Sequence, residues 1–341
     1  MVVSLFFLLY SIRHTALWSI MESILSVSHL TTGFQTDSGF LKAVDGVDFS
    51  IGWGETMGLV GESGCGKSVT ALSIMRLVPS PPGRIESGDI LFDGMNLASL
   101  PEKQMRKIRG DRISMIFQEP MTSLNPVYTI GDQIGEMFAF HRGLPKKEIL
   151  EATLHLLTQV GMAAPKRVVS SYPHQLSGGQ RQRVMIAMAL ALSPSLMIAD
   201  EPTTALDVTI QAAILELLVS LKVERRMSMI LITHDLGVVS EVAQRVSVMY
   251  AGEIVEESGV SDLFDEPLHP YTQGLIRSLP QTQDSHARLY TIPGAVPKLS
   301  AIPEGCRFHP RCERVMDICR NEAPGMFSPN NTRQVRCWLY E

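Results

Sequence analysis

Apolar and polar positions alternate over Ile24-Leu25-Ser26-Val27-Ser28-His29-Leu30, the period-two pattern of a half-buried β-strand. Strand-like runs at 43–51 and 56–60 follow. The second runs through a loop of small residues into the helical spacing of 69–77, an order of strand, loop and helix. Between about Pro79 and Leu100, a proline-rich turn and the stretch 88–94 predict further β structure. From 130 to 161 the apolar spacing is helical, with Pro145 and a Lys/Glu-rich turn marking a helix start. Helix resumes after Ser177, and strand 196–199, helix 210–221, strand 229–233 and short strands within 246–255 complete the pattern. Strands alternating with helices predict a mostly parallel sheet, and the helical stretch at about 120–180 reads as a subdomain inserted into the α/β core. Beyond about Pro267 prolines become frequent, so a main domain at 21–266 is expected to be followed by a small C-terminal extension at 267–341.

Composition narrows the class. The 341 residues suffice for one large α/β domain plus an appendage. Apolar residues are 45% of the chain, ordinary for a packed protein. Thirty basic against 35 acidic side chains, a formal charge of -5, supply no global field for nucleic acid, and none is expected as a partner. The most apolar run, at 2–10, is broken by Arg13 and His14 and falls short of the roughly 18 residues a membrane span needs. It also lacks the basic start and cleavage site of a secretory signal. Residues 1–20 are therefore expected to be a non-native extension upstream of Met21, with an interfacial anchor as the alternative.

Candidate chemistry begins at Gly61-Glu62-Ser63-Gly64-Cys65-Gly66-Lys67-Ser68, which fits the phosphate-loop pattern G-x-x-x-x-G-K-[ST] and stands where strand gives way to helix. Glycines let successive N–H groups turn toward phosphate oxygens, and the following helix presents its positive end. Lys67 is expected to reach the β and γ phosphates, and Ser68 to hold Mg²⁺. Leu196-Met197-Ile198-Ala199-Asp200-Glu201 is a buried strand ending in two carboxylates: Asp200 is placed for the Mg²⁺ shell and Glu201 as general base toward water. Leu176-Ser177-Gly178-Gly179-Gln180 offers a second anion-binding helix start. Of five cysteines, Cys65 lies in the phosphate loop; Cys306, Cys312, Cys319 and Cys337 cluster near the end in the order C-x5-C-x6-C-x17-C. That clustering suits a metal site in a reducing compartment better than disulfides, and four thiolates can ligate a [4Fe–4S] cluster or zinc; spacing does not choose.

With the Leu176–Gln180 pentapeptide between the two nucleotide motifs, the sequence resembles the ABC transporter ATPases. The resemblance implies a P-loop NTPase core of ABC type with an inserted helical subdomain, an antiparallel β subdomain and a small Cys-containing C-terminal extension. It implies that Gly61, Ser63, Gly64, Cys65, Gly66, Lys67, Ser68 and Val69 hold ATP. Ser177, Gly178, Gly179 and Gln180 would meet the γ-phosphate of ATP on a facing subunit. Gln118 would touch Mg²⁺ and link the site to the helical subdomain, Asp207 would belong to a dimer-contact loop with Ala205 and Leu206, and His234 would steady Glu201 and the water. Thr204 departs from the serine frequent at its position. Phe34, or alternatively Phe40, would stack on adenine. Tyr172-Pro173-His174-Gln175, Pro120-Met121-Thr122-Ser123-Leu124-Asn125-Pro126 and His269-Pro270-Tyr271-Thr272 resemble the dipeptide and oligopeptide importers, whose C-terminal extension carries four cysteines and, by that resemblance, an iron–sulfur cluster. Implied partners are a second homologous ATPase subunit, preferably in a heterodimer, two transmembrane permease subunits and a periplasmic solute-binding protein. The implied location is peripheral, at the cytoplasmic face of a bacterial inner membrane. The alternative reading is a non-transport ABC ATPase acting on nucleic acid or ribosomes; the long coiled-coil insertion or second cassette usual in such chains is not in this sequence.

Overall fold

The computed structural model describes residues 23–118, 123–204, 206–279 and 290–341. The expected upstream extension at 1–20, residues 119–122 and Ala205 lie outside them. In chain order the strands and helices are β1 (Ser23–Thr36), β2 (Gly39–Gly52), β3 (Thr56–Val60), α1 (Lys67–Ile74), β4 (Gly83–Phe92), β5 (Met95–Asn96), α2 (Glu102–Ile108), β6 (Ile113–Ile116), α3 (Ile130–Arg142), α4 (Lys146–Gln159), α5 (Pro165–Val168), α6 (Gly178–Leu190), β7 (Leu196–Asp200), α7 (Val208–Arg225), β8 (Ser228–Thr233), α8 (Leu236–Val242), β9 (Arg245–Tyr250), β10 (Glu253–Gly259), α9 (Val260–Asp265), α10 (Pro270–Arg277), α11 (Ile318–Asn321), β11 (Phe327–Asn330) and β12 (Arg333–Val335).

Two sheets organise these elements. An antiparallel sheet runs β2-β1-β4-β5, and an eight-stranded sheet runs β11-β12-β10-β9-β3-β8-β7-β6. From β9 to β6 all neighbours are parallel, as the strand–helix alternation predicts. Strands β3, β7 and β8 are buried along their whole length, which accounts for their mainly apolar, Met/Leu/Ile-rich sequences. The sheet is not parallel throughout, however. Strand β10 turns back antiparallel on β9, and β12, from the tail, pairs with β10 through Glu256↔Val335 and Glu257↔Gln334. The C-terminal segment thereby covers a strand edge that would otherwise present unpaired backbone groups.

The helical stretch breaks where its sequence says it must. Helix α3 starts at a Thr129–Asp132 capping box and stops at Gly143, in the left-handed conformation at φ 62°; α4 restarts after Pro145. Ile130, Ile134, Leu156 and Leu157 pack with Val184 of α6 and Ile214 of α7 in one apolar cluster. A second cluster fills the space between the two sheets, from Ile24, Leu30 and Val44 to Leu59, Leu196 and Ile230. A third, around Tyr250, Tyr271 and Phe308, joins the tail to the body, with ring centroids 4.7 to 5.4 Å apart. Among the described residues no helix is long and apolar enough to cross a membrane.

Candidate functional site

Strand register decides where the chemistry gathers. Val60 pairs with Thr233 and Val248, and Asp200 with Ile232, so β3, β7 and β8 end side by side. Gly61, Glu201 and His234 are the next residues along the chain. Ligands of open α/β sheets bind at such carboxyl ends.

The phosphate loop wraps from β3 into α1. A side chain at Gly61 would come within 2.2 Å of the Met249 carbonyl oxygen, and one at Gly66, at φ 111°, within 2.6 Å of that of Ala43, so both positions demand glycine. Ser63 and Gly64 lie exposed at the loop tip, and Val69, half-buried, anchors α1 on the core. Cys65 is fully buried, and burial pushes its thiol up from the ordinary value. Lys67 is 5% exposed and donates from Nζ to the carbonyl oxygens of Gly61 (2.8 Å) and Glu62 (3.0 Å). The Ser68 hydroxyl donates to Asp200 Oδ1 at 3.1 Å, which brings the two expected Mg²⁺ ligands together. Burial pushes the Asp200 carboxyl up, against the lowering effect of that hydrogen bond.

Glu201 collects the remaining catalytic candidates. Its Oε2 accepts from Gln118 Nε2 at 3.1 Å and from the Thr204 hydroxyl at 2.8 Å, while Oε1 lies 3.4 Å from His234 Nδ1. Burial alone would raise this carboxyl; the Thr204 bond and His234 outweigh it and hold the group below the usual glutamate value. Its backbone is left-handed, φ 45°, which a residue with a Cβ adopts at a cost. The reward is direction: the Glu201 N–H bonds the Ile232 carbonyl while its carboxylate points to the other three partners. Gln118, expected at the Mg²⁺, here has its amide on Glu201. Thr204 is the Glu201 partner that the motifs do not name, entering the sequence pattern only as a departure from serine; its position three residues after Glu201 is the available signal.

Ser177 is the N-cap of α6. Its hydroxyl accepts from the Gln180 N–H at 3.3 Å, and Gln180 Oε1 accepts from the Ser177 N–H at 3.0 Å. Gly178 and Gly179 follow, the latter so close to Ile210 that an added carbon would sit 2.9 Å from it. Asp207 caps α7 through the Ile210 N–H at 3.0 Å. Near the hairpin turn Phe34 on β1 pairs with Leu41 and Phe40 on β2 pairs with Gln35, and Arg84 covers the Phe40 ring at 4.2 Å.

All four tail cysteines line one small cavity with His269, Phe308 and Trp338. Among the described residues, however, no group of three or more His, Cys, Asp or Glu side chains is placed to hold a metal ion, so the ligand set expected from the sequence is not assembled here. Burial, helped by the neighbouring cysteines, pushes the Cys306 thiol up to about 12, Cys319 and Cys337 are buried too, and the four sulfurs pack here as small hydrophobes.

Comparison with known proteins agrees with this geometry. The ABC transporter family profile matches residues 44–204, and the profile for the oligopeptide/dipeptide transporter C-terminal region matches 255–319. The chain is 53% identical over 321 residues to the oligopeptide transport ATP-binding protein AppD of Bacillus subtilis, covering 94% of this chain and 98% of that one. It is 49% identical over 321 residues to the dipeptide transport ATP-binding protein DppD of the same organism, covering 94% and 96%. Among solved structures it resembles the ATP-binding cassette MJ0796, a dimer in a post-hydrolysis state bound to ADP and Pi, with a TM-score of 0.63 and 29% identity over 69% of this chain and 98% of that one. The chain belongs to the ABC transporter family, as an ATP-hydrolysing, ATP-binding subunit of the branch that carries the oligopeptide/dipeptide transporter C-terminal region.

Proposed function

We propose that this chain is the motor of a peptide importer, hydrolysing ATP at the cytoplasmic face of the inner membrane to drive uptake of dipeptides or oligopeptides. The observation that carries it is the convergence of Gln118, Thr204 and His234 on Glu201, one residue from the Asp200–Ser68 pair. Ser68 and Asp200 would hold Mg²⁺, which supplies positive charge against the phosphate oxygens. Lys67 leaves its loop carbonyls for the β and γ phosphates. Glu201 takes a proton from water as the water oxygen bonds to the γ-phosphorus, and the bond from that phosphorus to the bridging oxygen breaks, releasing ADP. His234 holds Glu201 in position. We assign adenine stacking to Phe34, because Arg84 covers the face of Phe40.

The signature motif acts on a facing subunit in this reading. Its supports are the exposure of Ser177 and Gln180, each of whose side chains bonds the other's backbone N–H, and the dimeric MJ0796 cassette. A homologous but different ATPase is the preferred mate. The seat for one of the two permease subunits is a cavity of about 300 Å³ lined by Met75, Leu77, Phe117, Met137, Met185 and Met188, because thioethers adapt to an inserted apolar helix and Phe117 adjoins Gln118. A periplasmic binding protein would deliver the solute. For the tail, the proposal is a [4Fe–4S] cluster, with zinc as alternative: four soft donors ring one cavity, yet they are not gathered about a single point.

Replacing Glu201 by Gln should preserve ATP binding, stabilise the closed pair and lower hydrolysis by about 100-fold or more, the usual scale for losing a general base. Hydrolysis at the normal rate by E201Q would remove Glu201 from the mechanism.

A further inference from the structure

The phosphate loop carries an acid, Glu62, where a triphosphate is to bind. Left alone, that carboxylate would repel the phosphates, and the residue already touches their expected lysine, its backbone carbonyl accepting from Lys67 Nζ at 3.0 Å. The C-terminal tail supplies the counter-charge. Arg311, the residue before Cys312, reaches back 249 positions and grips Glu62 with both arms, Nη1 to Oε2 at 2.7 Å and Nη2 to Oε1 at 3.1 Å. This paired geometry is specific to a guanidinium. Arg311 is held in its turn. Its side chain is 4% exposed, Nε donates to the Pro293 carbonyl at 2.8 Å, and Tyr250 and Phe308 flank the guanidinium at 5.7 and 5.9 Å. The backbone of Glu62 is secured as well, its N–H donating to the Tyr271 hydroxyl at 2.8 Å. Both ends of one phosphate-loop residue are thus fixed by side chains from beyond Asp265.

We propose that Arg311 is a positioning residue for ATP binding: it neutralises Glu62 and, with Tyr271 as second strut, holds the phosphate loop open to the triphosphate, so that the four-cysteine tail sets nucleotide affinity. This rests on the phosphate loop being the nucleotide site. The experiment is calorimetric titration of the full-length chain with a non-hydrolysable ATP analogue and Mg²⁺. Arg311→Met is expected to weaken binding about ten-fold, the scale of one partly buried charge pair. Arg311→Lys, which keeps the charge but not the fork, should fall between it and the unaltered protein. The decisive variant is Glu62→Gln combined with Arg311→Met, which restores neutrality and is expected to bind within about three-fold of the unaltered protein. A merely structural arginine would show no such recovery. Unchanged affinity in R311M overturns the proposal, and so does a loss that E62Q fails to recover. If R311M does not fold, Tyr271→Phe decides: weakening by about five-fold, one neutral hydrogen bond, supports the clamp, and unchanged affinity overturns it. Lys67→Ala, run alongside, separates the two readings. Normal binding by K67A would remove the nucleotide site itself, whereas lost binding by K67A with normal binding by R311M would remove only the clamp.

Discussion

At the scale of single residues, environment rather than residue type assigns the roles. Asp200 and Glu201 are neighbours in sequence, yet one is pushed up by burial in a strand end and the other held down by a hydroxyl and a histidine. The same logic gives His269 a purely structural part. It is 1% exposed, its Nδ1 accepts the Tyr271 N–H at 3.0 Å, and full burial lowers its pKa from 6.5 to about 3. The folded form therefore keeps His269 neutral where the unfolded chain would protonate it. Stability from this group is intact above about pH 6.5 and is lost as pH falls toward the folded value. At pH 5 the loss should be about 2 kcal/mol, from the roughly 1.4 kcal/mol attached to each pH unit below the unfolded pKa. His269→Asn keeps a capping acceptor and removes the titration. Denaturant unfolding at pH 7.5 and pH 5 should show a smaller acid loss in H269N than in the unaltered protein by about that amount, and equal losses would contradict the assignment.

Helix starts are the elements that carry function here, and they are capped unequally. Helix α1 begins at Gly66 with no side chain capping its first turn, which in our proposal leaves its N–H groups to a phosphate. Helices α6 and α7 begin under Ser177 and Asp207, which satisfy their own first turns. Ser177 thus serves twice, as a cap within the chain and, in our proposal, as a donor to the neighbour's ATP. These duties are separable. Ser177→Ala should cost about 1 kcal/mol of stability in chemical unfolding, and Ser177→Asn, a comparable cap, should cost less than about 0.5. The longer Asn side chain should nevertheless reduce hydrolysis by the assembled pair at least about ten-fold. Full turnover in S177N would show that the exposed cap plays no part across the interface.

Across the whole molecule, the tail is woven into the motor rather than hung from it. Strand β12 extends the central sheet, and the arginine beside each of three cysteines enters the body. Arg307 donates to the Ala251 carbonyl at 2.6 Å, Arg311 reaches Glu62, and Arg336 reaches the Ile254 carbonyl at 3.2 Å. Whatever the four thiols bind is thereby linked to the nucleotide-binding core. On the proposed cluster, anaerobic reconstitution of the full chain with iron and sulfide should give a broad visible absorption and about four irons per chain, the stoichiometry of a four-thiolate cluster. Cys312→Ser should reduce both. A colourless protein that instead retains about one zinc would replace the cluster with the tetrahedral alternative.

Motifs of contiguous residues were legible before any fold. The loop 61–68, the Asp200-Glu201 strand end, the Leu176–Gln180 signature and the parallel-sheet pattern each depend on a few neighbours along the chain, because glycine freedom, helix starts and burial period are local properties. What the tertiary structure alone decided are pairings between distant residues: Gln118 on Glu201, Arg311 on Glu62, and β12 on β10. A hydrogen bond spanning 249 residues leaves no periodicity to read, since only the packing of the sheet and the tail brings its ends together.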